Sequence, residues 1–346
     1  VALLFADVSG FTALTEQLAQ KGLQGTEELT QILNKYFHAI IQIIEAEGGE
    51  VVKFIGDALL VWFPTNDYQD KRYVTKLAWQ AAQKIQQLFL AEYKNLATSI
   101  GNIKMGMKIS IGIGNIDIFE VGGELKRCEC VIAGEAVEQM FETSKKHETH
   151  IDFSIQMSSA AQAMLTDEEV TFEKKQLIDW KNVKSIEKVS QYMLRFIPGP
   201  VRYRINQQQK LQAWLSELRP MSVLFIKING VDYQQKNTHQ YLNKMLQDIQ
   251  KIVYFYQGTL DKMVVDDKGT IVLILFGAPP FAHEDTPLRT VRCAMKLQKL
   301  QMSPAVAHWS FSIGMTSGRV FSGAMGSISR REYTVMGDTV NLSARL

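Results

Sequence analysis

Leu3-Leu4-Phe5-Ala6-Asp7-Val8-Ser9-Gly10 returns in kind later in the same chain as Val223-Leu224-Phe225-Ile226-Lys227-Ile228-Asn229-Gly230. Three further blocks return in the same order. Gly48-Gly49-Glu50-Val51-Val52-Lys53 reads like Gln257-Gly258-Thr259-Leu260-Asp261-Lys262, and each is followed by an apolar stretch, Ala58–Phe63 or Thr270–Phe276. Ile109-Ser110-Ile111-Gly112-Ile113-Gly114 is matched with Phe311-Ser312-Ile313-Gly314-Met315-Thr316. Val131–Val137 is matched more loosely with Val335–Val340. Ordered internal repetition of this length predicts two copies of one unit.

Within a copy the element order follows from periodicity. Val1–Ala6 is an apolar strand, and a helix opens at Ser9–Thr12, with Ser9 and Thr12 as its expected caps. Leu29–Ala46 carries Ile32, Leu33, Phe37, Ile40, Ile41 and Ile44 at helical spacing. Glu50–Phe54, a Gly56-Asp57 turn and Ala58–Phe63 predict a hairpin. A helix over about Val74–Leu90 and a strand over Lys108–Ile113 complete β-α-β-β-α-β, the ferredoxin-like order, so the expected class is α+β. Copy one is expected to continue through Ile151–Leu165 to a final strand at Gln191–Pro198. Residues 1–198 then form one domain, 199–220 a polar connector with a helical piece at Leu211–Leu218, and 221–346 a second domain.

The bulk numbers agree with two domains. The chain has 346 residues, 46% hydrophobic and 21% charged, ordinary for a globular protein, with a net charge of +2 that gives no pointer to nucleic acid. Cys128, Cys130 and Cys293 form no disulfide framework, and Cys128-x-Cys130 is too tight for a zinc knuckle, so reduced thiols are expected. No apolar run approaches the roughly 20 residues that span a bilayer. The sequence opens on a strand at Val1 and stops within a helical pattern at Leu346, which suggests part of a longer protein or a larger assembly.

Asp7 ends a strand just before a helix start, and Asp57 sits in the turn of the adjacent hairpin. Taken singly they would be a cap and a turn residue. Side by side they are two hard oxygen ligands next to helix amides, suited to Mg²⁺ on a triphosphate.

At these residues the chain resembles class III nucleotidyl cyclases. Phe5–Thr12 and Lys53-Phe54-Ile55-Gly56-Asp57-Ala58 are similar to their two metal-binding segments, and Glu332–Arg345 to their nucleotide and transition-state segment. The tandem, asymmetric arrangement looks most like the soluble, bicarbonate-responsive adenylyl cyclases. The resemblance implies two Mg²⁺ ions, replaceable by Mn²⁺, held at Asp7, Val8 and Asp57, and triphosphate contacts from Val8, Ser9, Gly10, Phe11 and Thr12. It implies Lys262 and Thr334 as readers of adenine, Asn341 positioning the ribose and Arg345 steadying the α-phosphoryl charge. A lysine only donates and a threonine hydroxyl can accept, which favours ATP over GTP. Outside that resemblance, Arg345 would be a solvated charge, Asn341 a cap and Lys262 a strand lysine facing water.

The losses are complementary. Lys227 stands where copy one has Asp7, and Glu138 and Glu142 stand where copy two has Asn341 and Arg345, so one complete site and one degenerate site are expected. In the soluble adenylyl cyclases the degenerate site holds bicarbonate through a lysine and an arginine. Lys53 matches the lysine but Phe141 takes the arginine's place, so weak or absent bicarbonate stimulation is expected. The alternatives are a catalytically silent scaffold module and a guanylyl cyclase. A diguanylate cyclase would need a GG[DE]EF-type turn, which Gly56-Asp57-Ala58 is not. The sequence does not name an organelle; the ATP-dependent chemistry that the resemblance implies fits cytoplasm or a cilium equally.

Overall fold

A computed structural model of the chain describes residues 1–65, 70–147, 153–165, 186–206, 217–266, 268–327 and 329–346. The front half contains β1 (Ala2–Ser9), α1 (Phe11–Ala19), α2 (Leu23–Ala46), β2 (Glu50–Ile55), β3 (Ala58–Phe63) and α3 (Lys71–Leu88). It continues with β4 (Leu96–Thr98), β5 (Gly101–Ile103), β6 (Gly106–Ile113), β7 (Asp117–Gly122), β8 (Cys128–Ala133) and α4 (Glu135–Ser144). Next come β9 (Ile155–Met157), α5 (Ser159–Met164), α6 (Ile186–Met193) and α7 (Gly199–Asn206). The rear half contains β10 (Glu217–Asn229), α8 (Thr238–Phe255), β11 (Thr259–Asp266), β12 (Gly269–Phe276), α9 (Thr286–Gln298), β13 (Ser310–Gly326), β14 (Arg331–Met336) and α10 (Asp338–Arg345).

Two five-stranded sheets result, ordered β2-β3-β1-β6-β9 and β11-β12-β10-β13-β14. The first four strands of each follow the same order, with the first strand of the half between its two antiparallel neighbours. Alternation along β1 splits its side chains between two cores. Ala2, Leu4, Ala6 and Val8 pack with the apolar stripes of α2 and α3, while Leu3 and Phe5 pack with α4. The rear half repeats this: Leu224, Ile226 and Ile228 pack under α8 and α9, and Val223 and Phe225 join Val335 and Val340 on the other face. Both faces are covered, which is why the central strands read as continuous apolar runs.

The two long helices end alike. After α2, Gly49 N–H donates to Ile44 O at 2.9 Å, and after α8, Gly258 N–H donates to Val253 O at 2.9 Å. The glycine is required at both places, because a Cβ would sit 2.7 Å from the ring of Phe63 or of Phe276. The hairpins then leave at the same angle. Each contains a β-bulge just before a lysine, between Val51 and Lys53 in one and between Leu260 and Lys262 in the other.

Each half lays a two-stranded ribbon across the long helix of the other. On the β7–β8 ribbon, Gly122 N–H donates to Asn243 Oδ1 on α8 at 2.8 Å. On the β13–β14 ribbon, Gly326 N–H donates to Asn34 Oδ1 on α2 at 3.3 Å, while Phe321, Met325 and Met336 enter the front core.

The structure corrects four expectations. Gln191–Pro198 is not a strand: it is the end of α6 followed by a 3-10 turn at Leu194–Phe196. Tyr192 and Arg195, three apart as on one helix face, both grip Glu120 of β7, and the fifth strand place belongs to β9. Residues 199–206 of the connector are helical, and residues 217–218 of the expected helix lie in β10; 211–216 fall outside the described residues. Ser9 does not cap α1; Gly10 does, at φ +89° and without a side-chain bond, and the Thr12 side chain lies outside the described set. The third repeat block is two residues out of step, since Lys108 pairs with Asp7 and Ser312 with Lys227, making Gly114 the counterpart of Gly318.

Helix α10 lies directly on β13, and a Cβ on Gly314 would run into the carbonyl oxygen of Ser343. Gly314→Ala is expected to destabilise the protein by about 1–3 kcal/mol, read by urea unfolding, because backbone must move. An unchanged midpoint would mean that the helix does not sit this close.

Candidate active site

Asp7 lies near the end of β1, three residues before Gly10, a position that requires glycine: φ is +89° there, and a Cβ would stand 2.5 Å from Lys104 O. This turn delivers the amide end of α1 next to Asp7. Asp57 occupies the tip of the β2–β3 hairpin, after Gly56 at φ +65°. The two carboxylates feel one another. Burial first, and then the charge of Asp7, push the Asp57 carboxyl up to about 8. The Tyr36 hydroxyl on α2 is fully buried without a hydrogen-bond partner among the described residues, and burial and both acids raise its pKa far above the phenol value. Two acids that raise one another's proton affinity beside the start of a helix form a place that a divalent ion would relieve.

Lys262 is buried on β11 and reaches into the front half. Its ammonium donates to Phe54 O at 3.0 Å and to Glu332 Oε1 at 3.0 Å. Phe54 lies three residues before Asp57 on the same hairpin. Phe54 N–H donates in turn to Glu332 Oε2 at 3.4 Å, and Arg330 donates to Glu332 and to Val52 O. Burial opposes the ammonium charge, but Glu332 and Asp261 outweigh it and raise the Lys262 pKa.

The same contacts occur a second time with the halves exchanged. Lys53 donates to Glu129 Oε2 at 2.9 Å and to Met263 O at 2.6 Å. Met263 N–H donates to Glu129 at 3.2 Å, and Arg127 pairs with Glu129 and donates to Asp261 O at 3.0 Å. Lys53 and Arg127 overcome the burial of Glu129 and hold its carboxyl below the usual range.

The neighbours of the two lysines differ. Beside Lys53 stand Val52 and Val131. At the matching places beside Lys262 stand Asp261 and Thr334, both buried, whose side-chain oxygens have no hydrogen-bond partner among the described residues. Burial pushes the Asp261 carboxyl up to about 6. Thr334 lies two residues along β14 from Glu332, on the same side of the strand. Unsatisfied polar atoms around a buried ammonium suit a flat ligand bearing both donors and acceptors.

Asn341 and Arg345 are one turn apart on α10, with Arg345 exposed, and α10 touches α1, the helix that follows Asp7. Val8 and Phe11 are buried, so only their backbone could meet a ligand. Lys53 and Phe141 flank the second cleft. Lys53 is committed to Glu129, and the Phe141 ring packs edge-on to Phe5 at 5.1 Å within an apolar cluster that includes Leu60 and Ile132.

The sequence reading missed Glu332, Glu129 and their arginines. A signal existed: Arg127-x-Glu129 and Arg330-x-Glu332 each precede by five residues, counted from the glutamate, the glycine that opens the next helix. Extending the last repeat block back to these residues would have found them.

The sequence matches the family described as adenylate and guanylate cyclase catalytic domain over residues 1–195 and 215–346. It is 26% identical over 387 residues to adenylate cyclase type 10 of Oryctolagus cuniculus and 26% identical over 390 residues to that of Homo sapiens, in each case over 99% of this chain. The chain spans 23% of the length of these relatives. A crystal structure of a class III adenylyl cyclase-like ATP-binding protein from Pseudomonas aeruginosa shares the fold, with a TM-score of 0.61 at 13% identity, covering 99% of this chain and 80% of that one.

The buried clamps should act as coupled pairs. Double-mutant cycles on Lys262/Glu332 and Lys53/Glu129 are expected to give coupling energies of about 1–3 kcal/mol in urea unfolding. The exposed Lys35–Glu92 pair, at 3.0 Å, should couple by less than about 0.5 kcal/mol. Equal coupling in buried and exposed pairs would show the clamps to be incidental.

Proposed function

The chain belongs to the class III adenylate and guanylate cyclase catalytic domain family, and on that premise we propose that it is an adenylate cyclase, converting ATP to 3′,5′-cyclic AMP and pyrophosphate at one site between its two halves. The observation that carries it is the hydrogen bond from Lys262 to Phe54 O, which ties the base-reading strand of one half to the hairpin bearing Asp57 in the other. We read residues 1–198 as the metal-holding domain, 199–220 as connector and 221–346 as the base-reading domain of a pseudo-symmetric ferredoxin-like pair. The repeated strand order and the doubled clamp support that division.

Asp7 and Asp57 fit a divalent cation, because their mutual repulsion and burial are what a positive ion offsets. Among the described residues no cluster of three or more His, Cys, Asp or Glu could hold a metal, so the remaining ligands would come from backbone such as Val8 and from the triphosphate. Two such ions, Mg²⁺ or Mn²⁺, would acidify the ribose 3′-hydroxyl and neutralise the leaving phosphates. The amides from Ser9 to Thr12 at the start of α1 receive phosphate oxygens. Two of the three Lys262 N–H bonds are committed to Phe54 and Glu332, leaving one for adenine N1, while the unpaired Thr334 hydroxyl accepts from the N6 amino group. Asn341 orients the ribose, and Arg345 meets the charge growing on the α-phosphoryl group. Placement in a larger assembly, in cytoplasm or at a cilium, belongs to the same proposal; no helix among the described residues is long and apolar enough to cross a membrane.

Purified protein with Mg²⁺ or Mn²⁺ is expected to form cyclic AMP from ATP, and GTP turnover to be lower by on the order of 10⁴-fold. Asp57→Ala should cut the rate by about 10²–10³-fold and chelation should abolish it. Absence of product with every metal would leave the silent scaffold standing, and preferred GTP turnover the guanylyl cyclase.

Lys53 already donates to Glu129, Cys130 O and Met263 O, and Phe141 is buried in the apolar cluster. Bicarbonate at fixed pH is therefore expected to change the rate by less than about twofold. A several-fold rise would overturn this.

A further inference from the structure

Away from both clefts, a cavity of about 370 Å³ lies under α7, where the connector crosses the start of β11. Its walls include Tyr203, Tyr254, Leu260 and Phe281, together with the two arginines Arg127 and Arg202. Among the described residues no acidic side chain lines it. The volume falls in the range of small-molecule sites.

The two arginines differ in what they still lack. Arg127 is 4% exposed, and its Nη atoms are committed to Glu129, Cys128 O and Asp261 O. Its Nε–H is buried and has no partner among the described residues. A buried donor without an acceptor is costly to a fold and rare in native proteins. Arg202 donates weakly to Leu125 O at 3.4 Å and has no carboxylate partner among the described residues. Arg127 is ion-paired with Glu129, which it shares with Lys53, whereas Arg202 has no ion pair among the described residues.

We propose that this cavity is a binding site for a small organic carboxylate with an aromatic or branched apolar body. The carboxylate would pair with Arg202, and the apolar body would lie among Tyr254, Leu260 and Phe281; Arg127 Nε–H is buried behind the wall and takes no part in the contact. A neutral ligand would fill the apolar space and leave Arg202 unpaired. A larger polyanion such as a nucleotide would bring charge into contact with apolar walls. The site stands on the cavity alone and not on the cyclase reading, so binding can succeed or fail independently of activity. Through the Arg127–Asp261 O bond it adjoins the strand that carries Lys262.

Saturation-transfer NMR and calorimetric titration of the full chain test this with benzoate, 4-phenylbutyrate and indole-3-acetate, each against its primary amide. At least one carboxylate is expected to bind with Kd below about 1 mM, and its amide at least tenfold more weakly. Arg202→Ala should weaken binding at least tenfold, Arg202→Lys should retain most of it, and Lys227→Ala in the distant cleft should leave it unchanged. Thermal unfolding of each variant checks that the fold is kept. No binding by any carboxylate up to about 10 mM, equal binding of acid and amide, or binding that survives Arg202→Ala would each overturn the proposal.

Discussion

A buried ammonium from each half donates to a strand carbonyl of the other, and each is paired with a glutamate that it shares with an arginine. Charges of this kind are tolerated in a dry interface only when every partner is in place. A shift of one half against the other by the length of a hydrogen bond would strand two ammonium groups, two carboxylates and the guanidinium groups beside them. The clamps thus fix how the halves meet, and with that the position of the Asp57 hairpin relative to Lys262 and α10. Their own residues are the same in both copies. What differs is the set around them: Asp7 against Lys227, Val52 against Asp261, Val131 against Thr334, Glu138 against Asn341 and Glu142 against Arg345. One frame is used twice and equipped once.

The second cleft shows what the frame becomes without that equipment. Phe141 closes on Phe5, and Lys53 spends its charge on Glu129 with no polar neighbour at Val131 to share it. The apolar filling maintains packing that a ligand would otherwise complete. The two clefts are opposite solutions to one problem, since each must cover the inner face of a central strand: one with aromatic rings, the other with polar groups, among them a Thr334 hydroxyl without a hydrogen-bond partner among the described residues.

Much of the fold was legible because local signals agreed. Ala58–Phe63 is bounded by Gly56-Asp57 and by Pro64, and the strand has those limits. The helix expected at Val74–Leu90 runs from Lys71 to Leu88, its apolar period carried by Val74, Ala78, Ala81, Ala82 and Ile85. The block containing Gly112 slipped by two residues because strand side chains repeat with a period of two, so such a shift leaves the pattern intact. Gln191–Pro198 misled because a short apolar run suits a strand or one helical turn equally. At the site, the acids, Lys262 and Thr334 stood within recognisable segments. Glu129 and Glu332 did not stand out, because a glutamate in a strand normally faces water, and only the partner half reveals that these two are buried.

Between Ile55 and Ala58 the front hairpin turns in two residues, while the matching rear positions, Val264 and Ile271, have six residues between them. Chain length has therefore drifted freely at the tip, by an even number. The bulges at Val52 and Asp261 obey another rule. Removing either single residue would reverse the parity of everything between it and the tip, turning the clamp lysine toward its own helices. Insertions are tolerated where the chain meets water and forbidden one strand-length away, so the molecule's divergence is channelled to the end of the hairpin.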